Sequence, residues 1–86
     1  LIVGFSENGL NDYLFWQKTD KKILKRVHLL ISDIKWNPFN NEGLGKPEKL
    51  KDGLNGFFSR RITAEHRLVY TISDQTIIIA QCRFHY

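Results

Sequence analysis

The chain has 86 residues and 42% apolar content, ordinary for a soluble globular protein, which leaves room for one domain, 1–86, around a single core. Its 13 lysines and arginines against 9 aspartates and glutamates give a net charge of +4, which favours an anionic partner without identifying it. Cys82 is the one cysteine, so an intrachain disulfide is excluded and a reducing cytoplasm is expected.

The apolar opening Leu1–Phe5 is far too short for a signal-peptide core or a membrane span and reads as a first strand. No methionine occurs, so Leu1 is not expected to be the first residue the gene encodes. Ser6 is placed to cap a helix in which Leu10, Tyr13, Leu14 and Gln17 recur at helical spacing. Thr19 or Asp20 caps a second, with Ile23, Leu24, Val27, Leu30, Ile31 and Ile34 as its apolar stripe and Lys21, Lys22, Lys25 and Arg26 on the other face. Asn37-Pro38 ends it, because the residue before a proline is pushed out of helical geometry. The short connection at 18–20 makes the two helices an antiparallel hairpin.

Asn40–Asn55 contains Gly43, Gly45, Pro47 and Gly53 and few apolar anchors, and it reads as a long loop. From Phe57 to Ile62 and from Arg67 to Ile72 side chains alternate with period 2, the pattern of half-buried strands. A turn at Ser73–Gln75 leads into a last strand from Thr76 to about His85. The order β-α-α-β-β-β gives an α+β domain, a helical hairpin on one face of a mostly antiparallel four-stranded sheet. If Ile72 pairs with Thr76, Leu68 lies opposite Ala80 and Arg67 opposite Gln81. Leu68, Tyr70, Ile78, Ala80, Cys82 and Phe84 then face the helices, and Arg67, Gln81, Arg83 and His85 converge on the other side.

Arg60, Arg61 and Arg67 lie within or at the edge of apolar strands, where a guanidinium costs desolvation energy unless it meets an anion. The cluster asks for a phosphate. Gly43-Leu44-Gly45-Lys46 only faintly resembles a phosphate-binding loop, since Pro47 stands where a Ser or Thr is needed. The three histidines have no metal-like spacing with each other or with Cys82. Ser59 and His66 lack the strained nucleophile turn of a hydrolytic triad. Trp16 and Trp36 read as core or interface anchors rather than base-stacking platforms. What remains is Lys46–Lys51, the arginines and the terminal Arg83-Phe84-His85-Tyr86. Metal-free RNA cleavage needs a base for the 2′-hydroxyl, fixed cations, an acid for the 5′-oxygen and a group to hold the nucleobase. Taken by themselves, these residues leave two readings open: Glu48 as that base or as a solvated loop carboxylate, and His85-Tyr86 as working groups or as a frayed tail.

Tyr13-Leu14-Phe15-Trp16-Gln17, Gly45-Lys46-Pro47-Glu48, Leu54-Asn55-Gly56-Phe57, Ser59-Arg60-Arg61-Ile62-Thr63, Glu65-His66-Arg67-Leu68-Val69-Tyr70 and Cys82-Arg83-Phe84-His85-Tyr86 resemble the YoeB/Txe toxins of the RelE superfamily. The likeness runs in order over nearly the whole chain, and the terminal His-Tyr is specific to that branch. Phe58 stands where relatives often have Trp, Phe84 where they often have Tyr, and Lys49 where a proline is common.

The resemblance implies a RelE-like fold and a ribosome-dependent mRNA endonuclease that cuts the codon in the A site of the 70S ribosome. It implies Glu48 as general base, His85 as general acid, Arg67 as transition-state cation and Tyr86 as the group that orients the base. Lys51 and Arg61 would hold phosphates, with Lys49 and Arg60 as further contributors and no cofactor or metal. It implies, too, a cytoplasmic bacterial homodimer, neutralised by a YefM-like antitoxin, that meets operator DNA only through the antitoxin complex. Two other readings stand beside it: a ParE-like gyrase inhibitor, whose relatives lack the Glu, Arg and His-Tyr set, and a non-catalytic RNA- or ribosome-binding module.

Overall fold

Ser6 begins the first helix as a cap should. Its hydroxyl oxygen accepts from the Gly9 amide at 3.1 Å, which satisfies one of the orphan donors of the first turn. The computed structural model describes residues 1–39 and 42–85. Strand β1 (Ile2–Phe5) leads into α1 (Glu7–Thr19) and α2 (Lys21–Trp36), followed by β2 (Glu48–Lys49), β3 (Phe58–Arg61), β4 (Arg67–Ser73) and β5 (Thr76–Gln81). Asp20 separates the helices and caps the second, its carboxylate accepting from the Lys22 and Ile23 amides at 3.0 and 3.1 Å. The buried residues of α2, Leu24, Val27, Leu30 and Ile34, are the centre of the expected stripe. They meet Leu68, Tyr70, Ile77, Ile79 and Cys82 from the sheet, with Trp16 from α1. Close approach of α1 to β5 requires glycine at position 9, because a Cβ there would collide with the Ile79 carbonyl.

The sheet has five strands, not four, in the order β1-β5-β4-β3-β2. The additional strand, β2, lies inside the expected loop and pairs antiparallel with β3 through Glu48↔Ser59 and Lys49↔Phe58. Two residues are too few to show a period. On the far side β1 runs parallel to β5, so the sheet is mixed. Trp36 does not join the core: as the last residue of α2 it is 83% exposed.

The expected β4–β5 register is one residue out. Ser73 pairs with Thr76, leaving a two-residue turn in which Asp74 and Gln75 take φ of 47° and 65°. Positive φ at both positions is the type I′ geometry whose twist matches a hairpin. The slip turns Ile77 and Ile79 inward in place of Ile78 and Ala80. An irregularity then intervenes, because Tyr70 pairs with Ile79 but Val69 pairs with Gln81, which leaves Ala80 as the extra residue. This bulge adds a second one-residue shift, so the alternation returns to the expected faces although Val69, and not Arg67, stands opposite Gln81. Cys82 returns to the core, and Gln81 lies opposite Val69 on the face that Arg67 shares.

Gln75 holds a left-handed conformation that glycine adopts without penalty, and the backbone bond from the Ile2 amide to its carbonyl (2.8 Å) needs no side chain. Gln75→Gly is expected to stabilise the protein by about 0.5–1 kcal/mol, read as a rise of several degrees in thermal midpoint. An unchanged or lower midpoint would show that the turn is not of this type.

Candidate active site

Strand alternation sorts the expected site residues onto two faces. Glu48, Ser59, Val69 and Gln81 form one row across the sheet, each paired with the next. Directly paired residues project to the same side, so Glu48 shares the face away from the helices. Two residues further along β3 and β4, Arg61 pairs with Arg67 on that same face. Glu48 and Arg67 are thus two strand spacings apart, about 10 Å laterally. Lys51 follows the strand end, and with Glu48, Lys49, Leu50, Asp52 and Leu54 it lines a cavity of about 620 Å³. Lys49 and Arg60 have the other strand parity, paired with Phe58 and Leu68, but Lys49 still borders the cavity beside Glu48, whereas Arg60 does not.

Arg67 is 7% exposed, and one guanidinium nitrogen donates to the carbonyls of Thr63, Ala64 and His66 at 2.8, 3.2 and 3.2 Å. The three carbonyls fix the guanidinium in place. A cation oriented in advance is suited to stabilising an incoming anion.

The chain end is tied down rather than frayed up to Phe84. The Cys82 amide donates to Asp12 at 3.0 Å, and its carbonyl accepts from the Trp16 indole at 2.7 Å. The Arg83 carbonyl accepts from the Gln81 amide group at 2.9 Å, and the Arg83 guanidinium lies 3.5 Å from the Phe15 ring centre. The Phe84 amide donates to His66 Nδ1 at 2.8 Å, and its carbonyl accepts from the Arg67 amide at 3.0 Å. His85 therefore follows directly on a residue bonded to Arg67. Tyr86 lies outside the described residues. The sequence does not single out Asp12 and His66 as holding the tail, because each acts across a long separation, 70 and 18 residues, that no local pattern records.

Arg60 is the correction. Expected among the phosphate contacts, it is 0% exposed beneath the sheet. Its guanidinium donates to Asp33 at 2.6 Å, the Leu44 carbonyl at 2.8 Å, the Asn37 carbonyl at 3.0 Å and the Tyr70 hydroxyl at 3.2 Å. Adjacent strand residues point opposite ways, so an Arg-Arg pair sends one side chain inward, and here it is the first. The hydrogen bond from Arg60 holds the Asp33 carboxyl below its ordinary value, with the Leu44 amide assisting, while burial pushes the Tyr70 hydroxyl up. Cys82 is the buried core residue its strand position implied, its thiol pushed up to about 12 by burial and then by Asp12.

A helical hairpin on a mixed sheet, with arginines and a glutamate on the open face and a pinned tail beside them, is the architecture of RelE-like bacterial toxins. The YoeB/ParE toxin from Agrobacterium tumefaciens superposes with a TM-score of 0.95 over 100% of both chains at 45% identity. YoeB of Staphylococcus aureus, solved both as a YoeB–YefM heterotetramer and as a dimer, superposes with TM-scores of 0.90 and 0.91 over 100% of this chain and 98% of its own, at 49% identity in both cases. Toxin YoeB of Escherichia coli K12 is 56% identical over 95% of each chain. The family model for the YoeB-like toxin of bacterial type II toxin–antitoxin systems matches residues 5–86, and the chain belongs to that family.

Removing Asp33 strands a buried guanidinium. Asp33→Ala is expected to cost about 3 kcal/mol or more, measured by urea denaturation. Because the folded carboxyl titrates below its ordinary 3.8, its contribution is full above that value and is lost as pH falls through the lower folded one. The gap between wild type and variant should accordingly narrow below about pH 4. A gap independent of pH down to acid unfolding would refute the assignment.

Proposed function

We propose that the protein is a ribosome-dependent mRNA endonuclease, the toxin of a type II toxin–antitoxin pair, acting in the cytoplasm of a bacterium. The observation that carries this reading is the shared open face of Glu48, Arg61 and Arg67, with the backbone bond from Arg67 to Phe84 holding the chain end beside it. Glu48 takes the proton of the 2′-hydroxyl of a message nucleotide. The oxygen attacks the adjacent phosphorus, and His85 returns a proton to the departing 5′-oxygen. Negative charge gathers on the phosphorane oxygens, where Arg67, already oriented by three carbonyls, stabilises it without reorganisation. Arg61 and Lys51 hold the flanking phosphates, and Tyr86 orients the base. The products are a 2′,3′-cyclic phosphate and a 5′-hydroxyl, and DNA, which lacks the nucleophile, is left whole.

Lys49, which borders the cavity beside Glu48 and Lys51, is a further phosphate contact in this scheme, whereas Arg60, buried on the other side of the sheet, takes no part in it. The solved YoeB relatives support a homodimer and a YefM-like antitoxin as partners. The messenger within the 70S ribosome is the substrate, and operator DNA is met only through the antitoxin complex. No helix among the described residues is long and apolar enough to cross a membrane.

Primer extension on a message held in a purified 70S initiation complex tests the reading. Wild type should cut within the A-site codon only when ribosomes are present. Glu48→Ala and His85→Ala should each slow cutting by about 10²–10⁴-fold, and Arg67→Ala by about 10² or more. Binding to ribosomes with the message left whole would favour a non-catalytic module. Indifference to ribosomes would remove the reading altogether and make gyrase the next target.

A further inference from the structure

His66 has no part in the scheme above, yet its ring accepts from the backbone amide of Phe84, the residue before His85. We infer that His66 is a positioning residue: through Nδ1 it holds Phe84 in the conformation that aims His85 at the reacting phosphate. The inference rests on the nuclease reading and adds a residue to it.

Phe84 has φ of 65°, the left-handed region that a bulky residue leaves unless its surroundings hold it there. Three bonds hold it. Arg67 grips its carbonyl through the backbone amide at 3.0 Å, the Gln81 side chain reaches the same carbonyl at 3.4 Å, and His66 grips its amide through the side chain at 2.8 Å. The two bonds to the carbonyl do not use the side chain of residue 66, whereas the bond to the amide depends on a single ring nitrogen. Without that acceptor Phe84 is free to return to negative φ, which swings the next residue, His85, to a new direction.

The ring is built for this task. As acceptor, Nδ1 carries no hydrogen, so the imidazole is neutral with its proton on Nε2. Its plane is set by the edge of Trp16, 4.8 Å away between ring centres at 75°. The Phe84 ring lies on it at 6.0 Å. Trp16 is itself fixed by its bond to the Cys82 carbonyl at 2.7 Å, so the tail and the group that orients it share one anchor. The His66 carbonyl meanwhile closes the β3–β4 turn by accepting from the Ile62 amide at 3.0 Å, a backbone role that any residue can fill.

The requirement is thus for an acceptor two bonds beyond Cβ and not merely for a ring. Asparagine places its carbonyl oxygen near the position of Nδ1, glutamine places its own near Nε2, and leucine offers none. The test compares His66→Asn, His66→Gln and His66→Leu with wild type. Single-turnover cleavage at saturating and subsaturating toxin would be measured on 70S-bound message, with thermal melts and amide hydrogen exchange at Phe84 in the free protein. His66→Leu and His66→Gln should lose Phe84 protection and slow the chemical step about tenfold or more. The toxin concentration for half-maximal rate should stay within about twofold, and His66→Asn within about threefold of wild type in rate. The inference is overturned if Phe84 exchanges freely in wild type, if His66→Leu cuts at the wild-type rate, or if asparagine and leucine fall together in proportion to melting temperature. Loss of Phe84 protection in His66→Leu beside a wild type that cuts no message would instead overturn the nuclease reading and leave the contact standing.

Discussion

A guanidinium cut off from water must be ringed by acceptors, and the Arg60 cage meets that demand. It draws on the end of α2 through Asp33 and Asn37, on the following segment through Leu44, and on β4 through Tyr70. The helix end and the segment after it are brought to a strand more than 20 residues further on. Arg60 is therefore less a buried ion pair than a hub: its desolvation is tolerable only when all of them are in place. With Arg60 committed inward, Arg61 has no choice but to face out, and the pairing to Arg67 then puts two cations side by side on the face away from the helices, Arg67 the more buried of the two. The geometry of the outer face follows from the chemistry of the inner one.

The same economy runs through the chain end. Beyond Gln81 the backbone leaves the sheet, and irregular backbone must find partners for its amides and carbonyls elsewhere. Here they are side chains of α1, β5 and the β3–β4 turn, so the tail is fixed to both layers of the fold. On such a support the residue that follows Phe84, in the role proposed for it, has little orientation left to lose when a substrate arrives.

Features decided by local chemistry were legible in the sequence. Ser6 and Asp20 announce helix starts by their own hydrogen bonds, and the stripe of α2 names its buried face. Features decided at a distance were not. Asp74-Gln75 lacks the glycine that usually marks a two-residue turn, so the β4–β5 register was read one place off. The bulge at Ala80, which returns the side chains to the expected faces, depends on Val69, 11 residues earlier in the chain. Alternation required Arg60 and Arg61 to part, but only the register decides which goes inside. Strand β2 was hidden by its brevity. The residues alone left Glu48 and His85 open to bland readings, and the roles given to them rest on family resemblance, with the shared face as support.

Strand β2 also forms one margin of the sheet. An exposed margin is a template on which another chain can add a strand, and proteins guard it with brevity, proline and lysine. All three are present: two residues of strand, Pro47 before them, and Lys46, Lys49 and Lys51 around them. Lys49, on the edge strand itself, thus also serves as a sentry against fibrous association. Colloidal behaviour and the proposed chemistry then draw on the same six residues, 46–51, so neutralising lysines there also unguards the sheet.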